Sequence, residues 1–473
     1  MVFRRILLLV ALLAGVVACT PGNNPPQTMA SSATAARSPP LPDAIAKEVG
    51  PTYASPALQA LVDRVGQKLV ADARIDGHFR FYILDRPQPN AHALGNNYVF
   101  VTRGLLALID DEAELAAALG HEIGHITLHH ATQRARERRE VMDAAIKAAA
   151  TSGSVTVGRS VARDGMLVLR RYSRDQELAA DRAGLGFIVK AGYRGDAMVT
   201  LIEKLRRESR LQDRILGPAF ASDGPADAMS THPAADDRLA ALAGMDLART
   251  PGTSGRPEYL ALLDGMSIDD RPDEGFVRGP AFMHPVMKLA FRAPADFVLF
   301  NDRDGVLGVG HDRSVLYFSC TDERIPGRLD DWMRNKLTPT PTDIQETSIG
   351  GIEAAIGAKP RGADTGLSQI RHVLVRNGQG ICFFNLLADG PDRDRRIDTL
   401  VGAARSFRLL SDAEAAALQP YRVRVIPRGN ASASALAARL PYADFRLERL
   451  LALNGVDDAA EFARRANVKI VEP

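Results

Sequence analysis

The segment GHEIGHITLHH, residues 120–130, holds four of the ten histidines in the chain, so it is the place to ask for metal chemistry. On a helix, His121 and His125 lie one turn apart and about 40° from a common face. Glu122 adjoins the first histidine and reaches the same side without being a ligand itself. Two neutral imidazoles beside a carboxylate are what a catalytic zinc requires, namely nitrogen ligands and a base for water. A second acidic pair stands in ELAAD, where Glu177 and Asp181 share a helix face by i, i+4 spacing. Glu177 completes a set of two His and one Glu with a fourth position open. Asp181, one turn on, suits a hydrogen bond to a ligand histidine that holds its tautomer. Read alone, ELAAD is a solvated acidic face; its pairing with HEIGH argues for ligation. His129 and His130 read as surface residues or as supports behind the ligands, because successive helix turns point away from one ion.

These groups need elements to hold them. SPALQALVDRVGQKLVADAR (56–75) has apolar residues at helical spacing, HFRFYIL (78–84) and NNYVFVT (96–102) read as strands, and RGLLALI as a short helix. DDEAELAAALGHEIGHITLHHATQRARERRE then reads as one long helix, acidic at its start and basic at its end, as the helix dipole favours. Residues 151–170 soften into Gly, Ser and Val and suit a mobile lid or a second helical hairpin. Helices follow over 172–192 and 196–211, and 221–242 reads as a loop running into a short helix. Pro- and Gly-rich composition at 250–280 marks a boundary, beyond which strands dominate with helices near 325–337 and 393–405. After SDAEAAALQP, the order strand, helix, helix, strand closes the chain.

The 473 residues suffice for several domains, and 59 Lys+Arg against 57 Asp+Glu leave no nucleic-acid footprint. MVFRR followed by an apolar run of 13 residues and Cys19 reads as a signal peptide, too short to span a membrane comfortably. VVAC resembles a bacterial lipobox, which makes Cys19 the lipidation site and, with no Asp after it, the outer membrane the destination. The following stretch, through residue 55, reads as a disordered tether. Export to an oxidising compartment leaves an even pair, so a Cys320–Cys382 disulfide is expected, closing a loop of about 60 residues and worth about 3–4 kcal/mol. Two buried free thiols are the alternative.

HEIGH, ELAAD and the preceding YVFVTRGLLAL and DEAELAAALG resemble the HtpX-like and BepA-like zinc metallopeptidases related to the CAAX prenyl endopeptidases, over residues 56–245. The resemblance implies one Zn²⁺ per chain held by His121, His125 and Glu177, with Glu122 as general base taking and returning the proton. It implies that Asn90, Ala91 and His92 belong to an edge strand along which substrate backbone adds, although His92 stands where that family usually has Phe. STHP (230–233) resembles a loop of the family, which implies His232 as an oxyanion donor or as a resting-state ligand. Arg238 then buttresses Asp181 or the oxyanion. Residues 275–411 resemble a small Mog1/PsbP-like α+β domain, and 420–473 a LysM-like module lacking the usual GDTL.

The expected architecture is therefore α+β: signal peptide 1–19, tether 20–55, a mainly helical zincin-type peptidase domain with a small sheet over 56–250, the α+β domain and the βααβ module. The expected function is a lipid-anchored periplasmic metalloendopeptidase acting on misfolded or misassembled envelope proteins. A chaperone-like assembly factor with minor proteolysis and a peptidoglycan-associated hydrolase are the rival readings.

Overall fold

The computed structural model describes residues 39–168, 174–217, 235–358 and 369–473. The signal peptide, Cys19, residues 20–38 of the tether and His232 with its loop lie outside the described residues.

The chain enters through α1 (Asp43–Val49) and α2 (Pro56–Asp72). This corrects the expected tether over its last third. Leu41, Ile45 and Val49 recur every four residues, so one turn-repeating stripe packs on Tyr82, Leu84, Tyr98 and Phe100, and the Tyr82 hydroxyl donates to the Pro39 carbonyl at 2.8 Å. Strands β1 (Arg80–Leu84), β2 (Ala91–Leu94) and β3 (Tyr98–Thr102) form a small sheet in the order β1-β3-β2, with β1 parallel and β2 antiparallel to β3. Asn96 and Asn97 turn the β2–β3 hairpin with φ of 62° and 60°, a region that Asn tolerates. Helix α3 (Arg103–Leu108) is capped by Thr102, whose hydroxyl accepts from the Leu105 amide.

Helix α4 (Glu112–Thr127) carries HEIGH and is buried through residue 125 on every side, as its alanine-rich sequence allows. Asp111 caps it by accepting from the Glu114 amide at 2.9 Å. The expected long helix is broken here: His129 adopts φ of 56°, and α5 (His130–Ser152) starts in a new direction. Helix α6 (Val155–Val168) folds back on α5, which selects the hairpin over the lid for this segment. Helices α7 (Arg174–Lys190), α8 (Ala197–Leu216), α9 (Ala235–Ala243) and α10 (Arg256–Leu263) pack around α4 in one core with α2 and the sheet. Tyr259, Leu260 and Leu263 belong to that core, and Tyr259 donates to the Leu106 carbonyl at 2.7 Å, so the first part of the 250–280 stretch packs with α4.

After β4 (Ser267–Ile268), the middle of the chain holds two antiparallel sheets. Strands β5 (Phe276–Arg278), β6 (Ala281–His284) and β7 (Leu289–Arg292) join a later β15 (Arg408–Leu409) in one of them. Strands β8 (Phe297–Asp302), β9 (Gly305–Gly310), β10 (Val315–Thr321), β11 (Thr342–Ile349), β12 (Ile352–Ala358), β13 (Gln369–Asn377) and β14 (Gly380–Ala388) make the other, in the order β11-β12-β13-β14-β10-β9-β8. Helices α11 (Leu329–Lys336) and α12 (Arg393–Arg405) cover the second sheet, whose core is aromatic around Phe291, Phe318, Phe384 and Phe407. Cys320 and Cys382 face each other across β10 and β14 and form the expected disulfide.

Helix α13 (Asp412–Ala417), with a capping box at Ser411 and Glu414, leads to the final unit. This unit holds β16 (Tyr421–Pro427), α14 (Ala433–Ala437), α15 (Arg446–Leu453), a further short helix α16 (Ala459–Ala463) and β17 (Asn467–Glu472). It has its own core, yet β16 also pairs with β4, and Val423 enters the core around α4. Lys469 is buried against the end of α3, where its Nζ donates to the carbonyls of Ala107, Leu108 and Ile109 at 2.7, 3.0 and 2.9 Å.

Candidate metal centre

Glycines set the distance between the two helices that carry the site. A Cβ on Gly124 would lie 2.9 Å from the Ala180 carbonyl oxygen, and one on Gly184 would lie 2.8 Å from the His121 amide nitrogen. Helices α4 and α7 therefore touch backbone to backbone, which brings a side chain from the first turn of α7 onto the face bearing His121 and His125.

That side chain is Glu177, fully buried. Its Oε2 lies 3.4 Å from His121 Nε2 and its Oε1 3.5 Å from His125 Nε2, while the two Nε2 atoms are 3.0 Å apart. One ligand atom from each of the three residues falls within 4.8 Å of the others. Asp181 accepts from His121 Nδ1 at 2.8 Å. Because an ionised carboxylate only accepts, the proton sits on Nδ1 and the Nε2 lone pair faces Glu177. Lone pairs and a carboxylate converging in a dry pocket repel one another unless a cation lies between them, so this donor set fits a divalent metal.

The two imidazoles are pushed in opposite directions. Burial pushes His125 down to about 4, which outweighs the Glu177 hydrogen bond and keeps the imidazole neutral, as a ligand must be. Burial and Arg238 push His121 down, but the carboxylates of Asp181 and Glu177, which favour its protonated form, outweigh them and its pKa rises. Asp181 is itself driven down to about 2: burial opposes ionisation, but Arg238 and His121 overcome it. Arg238, on α9, grips both Asp181 oxygens at 2.7 Å, and its Nη1 lies 3.4 Å from Glu177 Oε2. Of the two roles open to Arg238 in the sequence, the geometry assigns the support of Asp181. Glu122 is buried beside His121 on α4, and its charge acts on both His125 and Arg238.

Of the two roles left open for His130, the structure places it behind a ligand. His130 is buried and its Nδ1 lies 2.9 Å from His125 Nδ1, so it stands behind His125 as Asp181 stands behind His121. No spacing rule finds it, because it depends on the left-handed His129, which turns outward and lets the next residue turn in. Asn90, Ala91 and His92 lie at and in β2, on the outer edge of the small sheet. Asn90 is tied to Thr102 through its amide, and the His92 ring stacks on Phe100 at 5.1 Å between centroids.

This geometry can be set against known proteins. Residues 56–246 match the model of Peptidase family M48. This segment, about two fifths of the chain, is where the likeness to that family lies. Relatives share the same region. A putative beta-barrel assembly-enhancing protease of Vibrio cholerae is 29% identical over 201 residues, covering 40% of this chain and 39% of that protein. The beta-barrel assembly-enhancing protease of Escherichia coli K12 is 25% identical over 202 residues, with the same coverage of 40% and 39%. The mitochondrial metalloendopeptidase OMA1 of Schizosaccharomyces pombe is 29% identical over 180 residues, 38% of this chain and 50% of that protein. The chain thus spans about two fifths of the length of the first curated relatives it matches. The buried His-His-Glu cluster falls inside the residues that match this peptidase family.

Proposed function

We propose that the chain is a zinc-dependent endopeptidase of the cell envelope that hydrolyses peptide bonds in misfolded or misassembled envelope proteins. The observation that carries this reading is the convergence of His121, His125 and Glu177, with Glu122 alongside, at a donor set suited to zinc. A zinc ion held there supplies Lewis acidity toward a peptide carbonyl and acidifies water. This chain's residues do the rest. Asp181 and Arg238 hold His121 in the tautomer that leaves Nε2 available. The outer edge of β2 takes substrate backbone as an added strand. Glu122 removes a proton from the attacking water and delivers it to the leaving amine. His232 is assigned the oxyanion or resting-ligand role on its STHP motif alone.

The substrate class is supported by the names of the relatives, proteases that enhance beta-barrel assembly. Periplasmic location and a lipid on Cys19, holding the chain to the outer membrane, are supported by the N-terminal sequence and by the Cys320–Cys382 disulfide. The middle domain is proposed as Mog1/PsbP-like and the last unit as a LysM-like module with a possible glycan contact. The word "assembly" in the relatives' names also favours a chaperone-like role beside proteolysis.

One experiment separates these. The purified protein is analysed for bound metal and assayed for casein cleavage with and without a chelator, beside Glu122→Gln. The expected result is about one zinc per chain in both proteins, chelator-sensitive cleavage by the parent and a loss of at least about 100-fold in the variant. Cleavage by Glu122→Gln at the parent rate refutes the catalytic reading; full cellular function without cleavage supports the chaperone role.

A further inference from the structure

The α5–α6 hairpin leaves the peptidase-like segment beside the metal centre and carries exposed apolar residues on both helices, on either side of the turn that forms its tip. Among the described residues, eight large hydrophobic side chains are exposed, and five of them, Met142, Ile146, Val155, Val157 and Val161, lie on this hairpin. Ile146 and Val155 are 64% and 66% exposed, beyond what chance scatter of single apolar residues would concentrate at one place. The two helices hold each other tightly: a Cβ on Gly158 would lie 2.8 Å from the Ala145 carbonyl oxygen, so the tip is presented by a rigid pair. The charge there has one sign. No Asp or Glu occurs between Asp143 and Asp164, whereas Lys147, Arg159 and Arg163 do. Among the described residues no helix is long and apolar enough to cross a membrane.

We propose that this tip is a membrane-surface contact. Ile146, Val155 and Val157 enter the boundary between headgroups and acyl chains of an anionic leaflet, and Lys147 and Arg159 meet its phosphates. Between residues 144 and 162 the exposed apolar side chains have only Lys147 and Arg159 as charged neighbours in sequence, which suits anionic lipid better than a protein client whose charges come in both signs. The hairpin's base is fixed to the site by His130 against His125 and by Gln176, whose side-chain amide donates to Gln133 at 3.1 Å. Ile146 stands about 25 Å along α5 from His130, so a seated tip holds the metal centre at a set height over the surface.

The test reads the tip itself in the full chain, so that attachment through the N-terminus does not enter. Val157→Trp, and separately Val155→Trp, is mixed with phosphatidylglycerol vesicles carrying brominated acyl chains, with Leu409→Trp as control; the single native Trp332 is subtracted. Expected are a blue shift and about twofold or greater quenching at both tip positions, none at Leu409→Trp, and a binding loss of about tenfold or more on adding Lys147→Glu and Arg159→Glu. Three results overturn the proposal: tip fluorescence unchanged by vesicles, equal quenching in neutral phosphatidylcholine, or a shift produced only by an unfolded polypeptide.

Discussion

Lys469 offers a direct measure of how far the C-terminal unit has become part of the peptidase body. Its ammonium is 1% exposed, donates to three carbonyls at the end of α3, and lies 2.9 Å from Asp110 Oδ1. Replacing it by Met keeps the volume and removes those partners. Each carbonyl left dry costs about 1–3 kcal/mol. Asp110 is cushioned, because Lys204 and Arg256 remain at 3.1 and 2.8 Å. Against the loss stands a gain. Burial pushes Lys469 from 10.5 down to about 8 despite Asp110, on the order of 3 kcal/mol spent on keeping the charge dry. Three carbonyls cost about 3–9 kcal/mol together, so the net expectation for Lys469→Met at pH 7 is a destabilisation of up to about 6 kcal/mol, read as a lower urea midpoint. The pH dependence has a definite sign. Between pH 8 and 10.5 the unfolded chain holds a proton on this amine that the folded chain has released, so parent stability rises with pH through that window. The variant lacks this rise, and the gap between the two proteins widens above pH 8. A variant more stable than the parent at pH 7, or a gap that narrows above pH 8, refutes the account of Lys469 as a buried ammonium capping α3.

Other outcomes follow from the same geometry. His130→Phe is expected to weaken zinc binding about 10-fold or more, measured by competition with a chromophoric chelator, because His125 loses the partner 2.9 Å from its Nδ1; unchanged affinity would remove His130 from the site. Asp181→Asn should weaken zinc binding about 10- to 100-fold, and should also lower the unfolding midpoint, since buried Arg238 loses a bidentate anion. Asp270, by contrast, is held up at about 6, chiefly by burial, so its ionisation works against folding. The folded chain holds its proton longer than the unfolded chain does, and stability falls as pH rises from 3.8 to about 6. Asp270→Asn should therefore stabilise the protein above pH 6 by up to about 3 kcal/mol, and a destabilised variant at pH 7 would show that burial is not the governing effect.

Much of the metal centre was legible without coordinates because it is a local matter. His121 with His125 and Glu177 with Asp181 are i, i+4 pairs, and helical spacing alone places each on one face. Strands, helices and the even cysteine pair were legible for the same reason, as periodicity and counting need no neighbour. The misses are the features in which distant groups compete. Nothing in TLHH (127–130), which has neither Gly nor Pro, stops a helix at Leu128 and His129; the break goes with the burial of His130 against His125. The stripe of Leu41, Ile45 and Val49 is visible in the sequence, but its order depends on Tyr82 and Phe100 being there to receive it.

The sequence by itself determined which residue types share a helix face, and so the kind of chemistry available. Only the tertiary structure decided that α4 and α7 cross closely at glycines, that Arg238 serves Asp181, and that Lys469 closes a helix 362 residues earlier. Spacing within one helix follows from backbone geometry, whereas the meeting of two elements follows from how well their surfaces fill space together and pair every buried charge.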